Sequence, residues 1–306
     1  MKNSKKILTL LVFMPLLVGC GNKVSKPKFS KFSNEVKTYE KFEEEIQKAL
    51  KKTSLFKTAK VGSLVFTGDH AYKDVFEAKR EKKVVKTQTE YDSSKGVIKY
   101  DAANLIYNQN MEQKSESEYI DKGGAETSSS KETTNSQIQV KDSKNLAMVF
   151  PDKKEYRVES LGGQKAADYF DNQVKFMFAI SYYGNMEQIL GMYEEETKSL
   201  FKFYKDGDIF TVVYSREKED SSDETYNFEE KYEYTVQVEI KEGKWSSKAY
   251  SLFESTKTYK VNYYTMAKGD VQTEKEEEAS TVVIEAKKLN LKKISLDKYS
   301  EAPKVE

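Results

Sequence analysis

Residues 226–240 read Tyr226-Asn-Phe-Glu-Glu-Lys-Tyr232-Glu-Tyr234-Thr-Val236-Gln-Val238-Glu-Ile240. Successive side chains of an extended chain point to opposite faces, so Tyr232, Tyr234, Val236, Val238 and Ile240 share one face. This alternation predicts a strand, and it is the cleanest strand signal in the chain. On its C-terminal side, Lys241-Glu242-Gly243-Lys244 reads as a turn into a second strand from Trp245 to Phe253. On its N-terminal side, Leu200–Tyr204 and Ile209–Tyr214 flank Lys205-Asp206-Gly207-Asp208. An Asp-Gly pair between apolar runs predicts a hairpin. Tyr259 to Met266 and Ser280 to Ala286 extend the series around the turn signal Lys268-Gly269-Asp270, and the alternation of Leu289 to Leu296 precedes a polar tail.

The first half of the chain carries the same period of two. Leu64–Phe66, Val75–Ala78 and Val84–Thr87 read as strands. Tyr91 to Tyr100 reads as two strands joined by a turn, and Leu105–Tyr107 and Glu112–Ile120 continue the series. Residues 123–136, Gly-Gly-Ala-Glu-Thr-Ser-Ser-Ser-Lys-Glu-Thr-Thr-Asn-Ser, read as a polar low-complexity loop or hairpin tip. Gln137–Val140, Ala147–Phe150 and Tyr156–Val158 resume strand character, with a turn signal at Pro151-Asp152.

Helical spacing occurs in three places. Val36, Tyr39, Phe42, Ile46 and Leu50 fall on one face of residues 35–52. Phe170, Val174, Met177 and Phe178 do so within residues 164–182, which follow the break at Gly162-Gly163. Residues 185–198 read as a short helix with Asn185 as its N-cap. Without regular alternation of strand and helix, a parallel sheet is disfavoured. The expected class is therefore α+β, mostly antiparallel β: a curved sheet or incomplete β-barrel with helices packed on its concave face.

Lys+Arg is 51 and Asp+Glu is 50 in 306 residues, which argues against nucleic-acid binding, whose footprint is a basic excess. Aromatic residues make up 12%, too many for a wholly disordered chain. One His and one Cys exclude His-rich and Cys-cluster metal sites.

The N-terminus reads as an export signal. Lys2, Lys5 and Lys6 precede the apolar run Ile7–Val18, which would span only about 18 Å as a helix. A bilayer core is about 30 Å thick, so the run is a signal peptide rather than a permanent anchor. Leu17-Val18-Gly19-Cys20 resembles the lipobox of bacterial lipoproteins. That resemblance implies cleavage before Cys20 and acylation of its thiol, and therefore a membrane-anchored protein on the extracytoplasmic side. Loss of residues 1–19 removes three lysines and no acid and moves the formal charge from +1 to about −2. The expected organisation is residues 1–19 signal peptide, 20–34 lipidated N-terminus and flexible tether, 35–297 a single domain, and 298–306 a polar tail. The order of elements, with the lipobox, also resembles the LolA and LppX-like lipoprotein superfamily. This resemblance implies an incomplete barrel closed by helices around a lipid or acylated ligand.

No catalytic set stands out. His70 lies beside turn-forming Gly68 and Asp69 and reads as a loop residue. Ser54–Lys57 and Ser128–Lys131 have the serine–lysine spacing of penicillin-recognising enzymes, but the Ser-Asp-Asn and Lys-Thr-Gly elements are absent. The glutamate runs at 43–45, 194–196 and 276–278 lack a calcium-loop pattern, and no phosphate-binding loop appears. Tyrosines crowd residues 226–264 and suit either sheet packing or an amphipathic lining. The expected function is a noncatalytic, lipid-anchored envelope protein needing no cofactor or metal. Its lipid, glycan or peptide ligand would contact Phe170, Val174, Met177, Phe178, Tyr232 and Tyr234. A protein-interaction scaffold without a small-molecule ligand is the alternative.

Overall fold

A computed structural model describes residues 24–30, 32–53, 55, 62–175, 189–194, 197–221, 226–260 and 269–303. In chain order the strands are β1 (Glu35–Val36), β2 (Leu64–Arg80), β3 (Lys83–Asp101), β4 (Ile106–Asp121), β5 (Gly124–Val140), β6 (Asn145–Phe150) and β7 (Glu155–Ser160). They continue with β8 (Phe201–Asp206), β9 (Ile209–Asp220), β10 (Tyr226–Lys241), β11 (Lys244–Tyr259), β12 (Asp270–Ala286) and β13 (Ser300–Glu301). Helix α1 spans Tyr39–Lys52, and residues 166–175 are helical and are called α2.

All strands join one 13-stranded sheet in the order β1-β8-β9-β10-β11-β12-β2-β3-β4-β5-β6-β7-β13. Only the two-residue pairing of β13 with β7 is parallel. Two hairpin-linked meanders, β2–β7 and β8–β12, meet where β12 pairs with β2 from Val271↔Lys79 to Ala286↔Leu64. Both edges carry two-residue strands from near the chain ends, β1 on β8 and β13 on β7. Being two residues long, β1 and β13 themselves offer little backbone for unwanted pairing.

The core lies on one face at one end of the sheet. Ile240, Trp245, Ile284, Phe66 and Ile98 stand opposite one another across β10, β11, β12, β2 and β3, and all are buried. Leu64, Tyr100, Tyr107 and Ile138 form the adjacent row across β2 to β5. Helix α1 starts where the Thr38 hydroxyl accepts the Lys41 N–H at 3.3 Å, and buries Phe42 and Ile46 one turn apart. Phe42 packs 5.0 Å from Phe203 on β8 and 5.9 Å from Phe210 on β9, ring centre to ring centre. From α2, Phe170 stacks on Tyr100 at 6.0 Å, and Asp171 accepts a hydrogen bond from the Tyr100 hydroxyl at 3.2 Å.

The expected α+β class is overturned. Strand occupies 62% of the described residues, with two helices beside an open 13-stranded sheet. The reason is the length of the strands. β2, β3, β5 and β12 have 17, 19, 17 and 17 residues, about 55–65 Å at roughly 3.4 Å per residue. Ser93-Ser94-Lys95-Gly96 makes no turn, because it pairs with β2 on one side and β4 on the other. The low-complexity stretch at 123–136 is no loop either: Gly124 to Ser136 pair residue by residue with Asp121 to Gln109. His70 sits within β2. The predicted helix at 185–198 keeps two helical residues, 189 and 190, among those described, and a 3₁₀ turn at Lys198–Leu200. Asn185 and residues 176–182 of the longer predicted helix lie outside the described residues.

Two segments lie against the face opposite the core. Residues 24–30, the described start of the stretch read as a tether, reach Gln237, whose side chain accepts the Ser30 N–H at 3.0 Å. Residues 287–295 cross β5, where Gln137 donates to the Lys292 carbonyl and Gln139 to that of Ile294. Asp101 anchors this second strap by accepting the Leu291 N–H at 2.7 Å. Burial alone would raise the Asp101 carboxyl. The hydrogen bonds from the Asn104 side chain and from the Leu291, Asn104 and Ala103 N–H groups outweigh it and hold the carboxyl below its ordinary value.

A depressed folded-state pKa adds stability that is present above the unfolded value and is lost as pH falls through the folded one. Asp101→Asn should therefore cost about 1–3 kcal/mol at pH 7, with the gap to wild type narrowing in acid. Urea unfolding at several pH values measures this; a gap that does not change with pH refutes it. Phe42→Ala should cost about 3–5 kcal/mol, read from the fluorescence of buried Trp245, the chain's one tryptophan.

Candidate functional site

The sheet has a step beside α2. β5 pairs with β4 along its whole length, but with β6 only from Gln137 to Val140. β6 and β7 are six residues each, and the turn Pro151–Lys153 closes them at Asp152, whose carboxylate accepts from the Asn135 amide. A cavity of about 220 Å³ opens at this step, on the core face.

Register places its walls. Tyr107, Ile138, Met148 and Arg157 stand opposite one another on β4, β5, β6 and β7, so all four side chains share the face toward α2. Phe150 and, from α2, Tyr169 and Phe170 complete the apolar part, and Gln173 of α2 adds a polar amide to the lining. Glu132, Thr134, Asp152, Lys153 and Glu155 ring the opening. The Arg157 guanidinium lies 5.5 Å from the centre of the Phe150 ring, within cation–π range.

Two polar groups inside give the cavity its character. Burial raises the Glu159 carboxyl, with the Arg157 charge acting in the opposite direction. Burial also raises the Tyr169 phenol, and the Glu159 charge adds to the effect. Among the described residues, the buried Tyr169 hydroxyl has no hydrogen-bond partner. An apolar pocket with a few inward polar groups suits an amphipathic guest.

The structure disperses the residues that the sequence singled out. Phe170 lines the cavity, whereas buried Val174 packs in the core and is no part of the lining. Met177, Phe178 and Cys20 lie outside the described residues. Tyr232 and Tyr234 share a face of β10, as alternation requires, with ring centres 6.5 Å apart. Burial raises both phenols, and Glu278 contributes to each. They sit on the second meander, whereas the cavity belongs to the first. Of the serine–lysine pairs, Ser128 and Lys131 are exposed on β5, and Ser54 lies outside the described residues.

Sequence reasoning missed Tyr107, Met148 and Tyr169, whose only signal was an apolar position in a strand or helix. It also missed an acidic row across the pairing of β12 with β2. Glu276, Asp74 and Glu90 are in register on β12, β2 and β3. Burial raises the Asp74 and Glu276 carboxyls, and neighbouring carboxylates add to it. Tyr72 is pushed up to about 12 by burial and by the same acids. His70 contacts Glu278 across that pairing. Among the described residues, no group of three or more His, Cys, Asp or Glu is placed to hold a metal ion.

No known family model and no curated protein matches the chain. Among solved structures, a similarity is found to the Pseudomonas aeruginosa protein OccK7 (OpdD), at a TM-score of 0.19 and 4% identity, covering 73% of this chain and 98% of that one.

An unpartnered buried hydroxyl is a cost that a phenyl ring avoids. Tyr169→Phe should leave stability unchanged or raise it by up to about 1 kcal/mol. Loss of more than that in thermal or urea unfolding would show that the hydroxyl has a partner.

Proposed function

We propose that the chain is a noncatalytic, lipid-anchored protein of the cell envelope that holds a hydrophobic or amphipathic ligand in the cavity beside α2. The observation that carries the ligand is the cavity itself: Tyr107, Ile138, Met148, Phe150 and Phe170 present apolar surface around space that no described side chain fills. The anchor is supported by the lipobox-like Leu17-Val18-Gly19-Cys20 behind a basic and then an apolar segment. The two features suit one another, because a tether would hold the cavity near the lipids or envelope polymers that supply such guests. The ordering of residues 24–30 against the sheet would keep that tether short.

Two measurements test this. Cys20→Ser should accumulate as a precursor, or leave the membrane fraction, whereas wild type should need detergent for release. Stable anchoring requires two or more acyl chains, at about 0.8 kcal/mol per buried methylene. For the cavity, 1-anilinonaphthalene-8-sulfonate should bind the folded protein and lose affinity by about tenfold in Met148→Trp, equivalent to about 1.4 kcal/mol. Equal binding by the variant, with unfolding unchanged, refutes the cavity as the site.

A further inference from the structure

The step that makes the cavity also leaves a strand edge open. No described strand pairs with β5 on the β6 side between Gly124 and Thr134, and Gly124–Thr133 are exposed. Polar groups alternate along a strand in an antiparallel ladder, so alternate residues direct N–H and C=O to opposite neighbours. Lys141, just past the end of β5, donates its N–H to the Asn145 carbonyl, toward β6. Counting back by twos, Thr133, Lys131, Ser129, Thr127 and Ala125 present their N–H and C=O groups to the open edge. Gly207 and Gly243 mark tight hairpin turns elsewhere, and the other meander's open edge, on β9 past Tyr214, is only six residues long. The β5 edge is the longer of the two, and it ends at the cavity mouth, where edge-facing Thr133 and its neighbours Glu132 and Thr134 all line the cavity.

We infer that the cavity is the side-chain pocket of a peptide-binding groove: an extended segment of a partner protein adds a strand to β5 and places one apolar side chain between Tyr107, Met148 and Phe150. The inference rests on the cavity-binding proposal and names its ligand class. Backbone pairing supplies affinity in such a mode, and the pocket supplies selection. The turn at Pro151–Lys153 stops the added strand beside Asn135. The last inward-pointing residue of the peptide therefore stands opposite Thr134 and points into the cavity. Charge selects the flanks of the peptide. Glu132, Asp152 and Glu155 outnumber Lys153 around the opening, so a peptide with basic residues beside its apolar one is favoured.

The test selects binders from a phage-displayed random dodecapeptide library on the intact, membrane-extracted protein and characterises one selected peptide. Binding should slow amide hydrogen exchange in residues 124–134. Ser129→Pro removes an outward N–H without touching the pairing to β4, a substitution that strand edges tolerate. It should weaken the peptide about tenfold while leaving 1-anilinonaphthalene-8-sulfonate binding unchanged. Met148→Trp should weaken both probes. If the dye binds and is blocked by Met148→Trp, but no peptide is selected or the selected peptide leaves residues 124–134 unprotected, the groove is overturned and the cavity-binding proposal stands. If neither probe responds to Met148→Trp, both fail. A dimer by light scattering with residues 124–134 already protected would assign the edge to a second copy of the chain and overturn the peptide.

Discussion

The antiparallel pairing of β12 with β2 is the contact on which the rest of the structure depends. Hairpins hold each meander together locally, but only this pairing makes one sheet of them. The buried row Ile240–Trp245–Ile284–Phe66–Ile98 crosses it, so the core exists only when the two halves are in register. A slip of one residue would turn Phe66 to the wrong face while Ile284 stayed on the right one. Arg80 fixes the far end of the pairing, with its Nε donating to buried Asp270 at 3.1 Å.

From that constraint the division of the sheet follows. Where the helices cover it, the strands are apolar on one face. Beyond them the same strands continue with Ser, Thr, Glu and Lys and remain ordered because their backbones pair on both sides. The outermost long strands lack that second partner over part of their length. The step at β5 is the larger case, and there the open edge and the cavity coincide.

Much of the sheet was legible in the sequence. Strand β10 begins at the predicted Tyr226 and ends one residue past Ile240, and the Asp-Gly hairpin of β8 and β9 stands where it was read. The misread segments are those whose conformation is set by pairing rather than by pattern. Ser93–Gly96 has the composition of a turn and residues 124–136 that of a loop, yet each is a strand because a neighbour is aligned with it. Helical spacing located Phe170. It could not locate Tyr107 or Met148, because the cavity arises from the difference in length between β5 and β6, which no local pattern encodes.

The distance along the chain between the two partners of the central pairing has a consequence for biosynthesis. Arg80 and Asp270 are separated by 190 residues. At roughly 5–20 residues per second, a ribosome finishes β2 some 10–40 s before β12 begins to emerge. Throughout that interval the first meander has β2 as a bare margin, the situation in which nascent β-rich chains associate with one another. The outward sequence of β2 suits the wait. Asp69, Lys73, Asp74, Glu77, Lys79 and Arg80 place charge along the margin, and a charged edge strand is a poor template for pairing with another copy.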